Sequence, residues 1–156
     1  MKIIGFTRGE VVGNPECPVM TRTVLALGAF SLRLHHFAPD HEDAHPHSHP
    51  WWFVTLVLGG NYEDVSPDGI DRLGRGAIRL RPSRHTHRTR VGATGCRTII
   101  VTGPASHDWG FWVKGRYFPW NLYRSRFPAP PCAPTPEDGV SIEAKTEQLA
   151  AVATSA

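Results

Sequence analysis

Glycine and proline cut this chain into short pieces. Fifteen Gly and fourteen Pro fall within 156 residues, too many breakers for a helical bundle and well suited to short strands joined by turns. The length suits one domain with its own core, and the 40% hydrophobic content is that of a globular chain. Residues 31–37 (SLRLHHF) alternate, with Leu32, Leu34 and His36 on one face and Ser31, Arg33 and His35 on the other. Residues 53–58 (FVTLVL) are apolar enough to be buried on both faces, and residues 97–102 (RTIIVT) read as a second buried strand. Residues 77–81 alternate as a half-buried strand. Gly59-Gly60, residues 66–69 and residues 92–95 read as turns, and residues 111–113 and 117–123 as one or two further strands. Prolines at 128, 130, 131, 134 and 136 then end the regular pattern. The expected organisation is an all-β domain over 1–127 and a Pro-rich tail over 128–156, with a marginal helix at 141–153.

Cys17, Cys96 and Cys132 are widely spaced and form no CxxC pair. That predicts no disulfide framework and a reducing cytoplasm. Residues 1–6 show no signal-like apolar core, and no segment approaches a membrane span. The net charge is only +3, yet Arg72, Arg75, Arg79, Arg81, Arg84, Arg88, Arg90 and Arg97 crowd the middle third. These arginines read as exposed strand charges, so neither a nucleic-acid nor a membrane partner is expected.

Histidine carries the functional signal. Six of the nine His lie between 35 and 49, among them His47-Ser-His49 just before the apolar strand. Residues two apart in an extended chain share a face, so His-x-His aims two imidazoles into one space. A third from a neighbouring strand then completes a metal site. His85-Thr-His87 supplies that neighbour.

The spacing resembles the cupins. Their first motif, G(x)5HxH(x)3–4E(x)6G, is matched by His47, His49 and Gly60. The second, G(x)5PxG(x)2H, is matched by Gly76, Pro82 and His87, with Arg84 where the second Gly is expected. The pieces Leu34-His35-His36-Phe37, His49-Pro50-Trp51-Trp52-Phe53, Thr102-Gly103-Pro104, Trp109-Gly110-Phe111 and Pro119-Trp120 are similar to a group of small bacterial and phage cupins of undefined function. The resemblance covers residues 30–115. It implies a cupin barrel (a double-stranded β-helix, or jelly roll) and a divalent metal held by His47, His49 and His87. The usual Glu is missing, with Phe53 and Val54 in its place.

A ligand set of three neutral imidazoles leaves the ion its full charge and favours an anionic small-molecule substrate. The thiol dioxygenase branch of the cupins uses a three-His iron centre, which implies Fe(II) and oxidation by O2. Zn, Mn or Ni with non-redox chemistry, or a ligand-binding module without catalysis, are the alternatives. His45, His85, Glu63 and Asp64 are candidates for an extra ligand, and His41-Glu42-Asp43 formally resembles the HxD of 2-oxoglutarate oxygenases. For substrate binding the candidates are Arg81, Arg88 and Trp52, and for acid–base chemistry Tyr62 and His107. Cys96 reads as a buried core residue. A homodimer through sheet edges is expected.

Overall fold

The computed structural model describes residues 3–128. The helix expected over 141–153 and nearly all of the Pro-rich tail lie outside the described residues. The strands are β1 (Ile3–Asn14), β2 (Cys17–Leu27), β3 (Phe30–Phe37), β4 (Phe53–Ser66), β5 (Gly69–Gly74), β6 (Ile78–Arg81), β7 (Arg88–Thr102), β8 (Gly110–Val113) and β9 (Arg116–Pro119), followed by helix α1 (Trp120–Arg126). Every strand pair is antiparallel, in the order β1-β2-β3-β7-β4-β5, with β6 also on β4 and β8-β9 as a separate pair. The architecture is all-β, as the spacing of breakers predicts.

Two long strands, β4 and β7, serve both halves of the molecule. Residues 53–57 of β4 pair with 98–102 of β7, flanked by β3 and β6. Residues 62–65 of β4 pair with 88–91 of β7, flanked by β5 on one side. On the other side runs the segment 41–47, through bridges Glu42↔Arg90 and His47↔His87, and His47 in turn bridges Phe111 of β8.

The turns expected at Gly59-Gly60 and at 92–95 are instead bends within continuous strands. Gly60 and Gly95 both sit at φ +70, and a Cβ on Gly60 would collide with the Gly95 carbonyl oxygen. Register shifts flank Gly60. Glycine here supplies a bulge that redirects both strands together, where a hairpin would have reversed them. Around this bend lies the apolar core, Val57, Tyr62, Leu73, Val91 and Cys96, with Phe37 and Ala77 against it.

Beyond the bend the inner face turns polar: Ser31, His35, Thr55, Thr98 and Thr102 are buried. The apolar alternates point outward, so residues 53–58 and 97–102 are buried on one face only. Across the register, Leu25, Leu32, Val101, Val54 and Leu80 form one outer row, and Leu34, Ile99, Leu56 and Ile78 a second. Leu34 is 47% exposed and Leu80 64%.

Residues 117–123 divide between β9 and α1. Pro119, the last residue in the β8–β9 ladder, precedes a helix that docks by stacking Tyr123 on Phe111, ring centroids 3.8 Å apart. Cys96 is a buried free thiol. Cys17 is disulfide-bonded, so the expectation of unpaired cysteines fails there, and with it the cysteine argument for a reducing compartment. No described helix is long and apolar enough to cross a membrane.

The bend yields a stability prediction. Gly28 has φ +66 with nothing within 4 Å of an added Cβ, so Gly28→Ala carries only the left-handed penalty, about 1–2 kcal/mol. Gly60→Ala adds a backbone collision and is expected to cost at least about 3 kcal/mol. Urea unfolding of the two variants measures the difference, and equal losses would contradict a shared bend.

Candidate metal centre

His47 stands at the end of the segment 41–47, locked by reciprocal backbone hydrogen bonds with His87, His47 N to His87 O at 2.8 Å and His87 N to His47 O at 2.9 Å. His49 lies two residues on, its backbone neighbour Ser48 donating to Gly110 O at 3.1 Å. The three rings converge: centroids are 5.0 Å apart for His47 and His49, 4.9 Å for His47 and His87, and 5.4 Å for His49 and His87. One nitrogen from each lies within 4.8 Å of the others.

The donor set fits a divalent ion. His49 Nε2 and His87 Nε2 are 3.2 Å apart, within the roughly 3.0–3.4 Å that two ligands about 2.0–2.2 Å from one ion span at angles between octahedral and tetrahedral. Behind His87, Nδ1 lies 3.2 Å from Asp64 Oδ1. A carboxylate there fixes the ring so that Nε2 faces the centre. Asp43 stands behind His47, its Oδ2 3.8 Å from Nδ1, and accepts the Thr89 N–H at 2.7 Å.

Burial presses His47 and His49 toward the neutral, metal-binding form. It pushes the His47 pKa down to about 4 against the pull of Asp43, and holds His49 well below its ordinary value, helped by His47 and His87. Burial works to raise Asp43 and Asp64, but the hydrogen bonds they accept win. Asp43 falls to about 2 beside His41 and His47, and Asp64 is held far below the carboxylate range by His85, His87 and Arg81.

A second cluster shares His87, formed with Asp64 and His85. It is the poorer metal site. Asp64 already takes His85 Nε2 at 2.9 Å and the Arg81 guanidinium at 2.9 Å, and a dication there would sit against a fixed cation. His45 turns away, Nδ1 2.8 Å from the Tyr123 hydroxyl. Glu63 pairs with Arg72 and Arg90, and His41 with Asp43.

The other candidates lie apart from the three imidazoles. Tyr62 is in the apolar core, where burial raises its pKa. His107 is in the loop after β7, 3.1 Å from Ser106 Oγ. Arg81 pairs with Asp64 and Asp71, Arg88 with Glu42, and Trp52 lies against Phe30 and Gly103. Residues missed as site candidates line a small cavity of about 40 Å³ that includes His49: Arg33, His35, Trp51, Phe53 and Thr102. The alternation of SLRLHHF had put Arg33 and His35 on one face; which face points inward decides their role. A larger groove, about 470 Å³, is lined by Pro46, Thr86, Arg88 and Trp112. These residues alternate with His47, His87 and Phe111, which places the groove on the opposite side of that layer.

No family model matches the chain, and no curated protein does. Solved structures do. A cupin-2 domain protein of Rhodospirillum rubrum superposes with TM-score 0.57 at 14% identity, over 73% of this chain and 80% of that one. The fold is a cupin fold. A protein of unknown function from Rhizobium leguminosarum gives 0.53 at 22% identity, over 67% of this chain and 99% of its own. The polyketide cyclase RemF from Streptomyces resistomycificus gives 0.51 at 22%, over 82% and 94%. The DMSP lyase DddQ from Ruegeria pomeroyi gives 0.52 at 16%, over 64% of this chain and 55% of that one.

The buried histidines of this cupin domain make stability depend on pH. His35, 7% exposed, has its pKa pushed down to about 3 by burial and then by Arg33 and Arg22. Between that value and the unfolded value of about 6.5 the unfolded chain binds the extra proton, so stability is full above pH 6.5 and falls as pH drops. Metal-free protein is expected to lose about 2 kcal/mol from His35 alone between pH 6.5 and 5. His35→Leu should flatten that slope in urea titrations; an unchanged slope would mean that His35 is already charged in the fold.

Proposed function

We propose that the protein is a metal-dependent small-molecule enzyme in which His47, His49 and His87 hold one divalent ion, Fe(II), and a small anionic substrate is oxidised by O2. The observation that carries the reading is the convergence of three imidazoles, with no carboxylate among them, beside a cavity that reaches His49. An ion there supplies open positions and an undiminished double positive charge. The chain does the rest. Asp64 orients the His87 ring, Asp43 backs His47, and Phe53, Trp51 and Phe111 shield the centre from water.

A second reading keeps the ligands and changes the metal to Zn, Mn or Ni, with lyase, isomerase or hydrolase chemistry. Its support is the 3.2 Å nitrogen spacing, which suits tetrahedral zinc as well as octahedral iron. The lyase and cyclase among the solved structures with this fold are compatible with it. Five of the eight central arginines, Arg72, Arg79, Arg81, Arg88 and Arg90, are drawn into ion pairs with Glu42, Glu63, Asp64 and Asp71, which speaks against nucleic acid as a partner. The reading includes a homodimer, supported by the exposed apolar rows on the outer face.

Elemental analysis of protein purified without an affinity tag tests the centre. The expected result is one ion per chain, lost in His49→Gln and in His47→Ala/His87→Ala but kept in His85→Gln. Loss in His85→Gln with retention in His49→Gln would move the ion to the Asp64 cluster. Iron-loaded protein should then consume O2 with some member of a panel of small carboxylic and thiol acids. Tightly held zinc without O2 uptake would decide for the second reading, and a chain that takes up no metal would overturn both.

A further inference from the structure

Among the described residues one half-buried guanidinium has no anion. Arg33 lies on β3 between Ser31 and His35, on the inner face. Its Nε donates to Ser31 Oγ at 2.9 Å, Ser31 Oγ is 2.7 Å from Thr102 Oγ1, and the guanidinium carbon stands 4.2 Å over the Trp51 ring. Among the described residues no carboxylate pairs with it. Glu10, whose charge it feels, is held by Arg22 at 2.7 Å. Arg22, Arg72, Arg79, Arg81, Arg88 and Arg90 all have a carboxylate within 3.3 Å. Burial, with Arg22 beside it, pushes the Arg33 pKa down to about 10, so the charge survives at neutral pH.

The cavity beside it has unmet polar groups of its own. His35, which lines it, is buried, yet neither ring nitrogen has a hydrogen-bond partner. Such groups are rare in a finished interior and mark a place where something else binds. The space of about 40 Å³ holds roughly three water-sized groups, the bulk of a carboxylate head and no more. His49 lines both this cavity and the three-imidazole cluster.

We propose that this cavity is the anion-binding half of the substrate site. The two terminal nitrogens of Arg33 grip the carboxylate of a small organic acid, His35 donates one ring N–H to it, and the acid's metal-binding group extends past His49 to the ion. Where the far end goes rests on the metal-centre reading; the anion site does not. Arg81 and Arg88, which adjoin Pro82 and His87 in sequence, are already paired and do not serve.

The probe is acetate, with acetamide as its neutral isostere, on full-length protein stripped of metal. Acetate should raise the unfolding temperature of the wild type in a saturable way and acetamide should not. In Arg33→Met the acetate affinity should fall at least tenfold. The same variant should unfold at a higher temperature than the wild type in acetate-free buffer, because a half-buried unpaired charge is gone, and its metal content should be unchanged. Arg33→Lys keeps the charge without the fork and should bind acetate several-fold more weakly than the wild type. Equal acetate affinity in wild type and Arg33→Met overturns the proposal. So does an acetate response that appears only after metal loading and survives Arg33→Met, since that places the anion on the ion. Acetate binding that depends on Arg33 in a chain that takes up no metal would sustain the anion site and overturn the metal-centre reading.

Discussion

Everything in this molecule depends on the contact between two glycines. Gly60 of β4 and Gly95 of β7 meet with φ +70 at each, and neither has room for a side chain, Gly60 against the Gly95 carbonyl and Gly95 against that of Phe37. Because both strands bend at one place, their ladder is flanked by β3 on β7 and β6 on β4 on one side of the bend, and by the segment 41–47 on β7 and β5 on β4 on the other. The inner surfaces then face one another. His87, at the start of β7 in one half, is brought to His49, which precedes β4 in the other. A hairpin at either glycine pair would have reversed the chain and left the imidazoles on unrelated surfaces.

The electrostatics follow from what the ligand set lacks. The two nearby carboxylates stand behind the histidine rings, Asp43 by His47 and Asp64 by His87, where they orient nitrogen without neutralising an ion. Asp64 is also claimed by Arg81 and His85. Arg33 adds an uncompensated positive charge to the same interior. The anion site proposed above rests on that charge, which no carboxylate among the described residues offsets.

The centre was legible in the sequence because it is local. His47 and His49 share a face by parity, and His87 follows Gly76 and Pro82 at a spacing that one β-hairpin and one loop produce. The fold was legible for the same reason, through regular breakers and strand-length apolar runs. The bends were not. Glycine pairs serve reversals and bulges alike, and only the long-range pairing Gly60↔Cys96 decides which. The ion pairs of the arginines were hidden on the same ground. Arg81 and Arg88 adjoin the motif in sequence, but their carboxylates, on Asp71 and Glu42, come from elsewhere in the chain. Arg33 is distinguished only by the absence of such a partner.

Strand β3 poses the sharpest question of design. A chain that only had to fold would turn Leu32 and Leu34 inward and leave Ser31, Arg33 and His35 in water. A one-residue slip would do it, since side chains alternate with period two. The register is held the other way, by pairing with β2 and β7 along the whole strand and by the buried Ser31–Thr102 hydroxyl contact. The cost is an interior with an unpaired guanidinium and an unpaired imidazole, and an outer face with two apolar rows. Arg33 and His35 lie on one strand, and the register that turns them inward also turns Leu32 and Leu34 outward. Local stability is given up on both faces of β3, which is the pattern expected where a strand is shaped by more than folding.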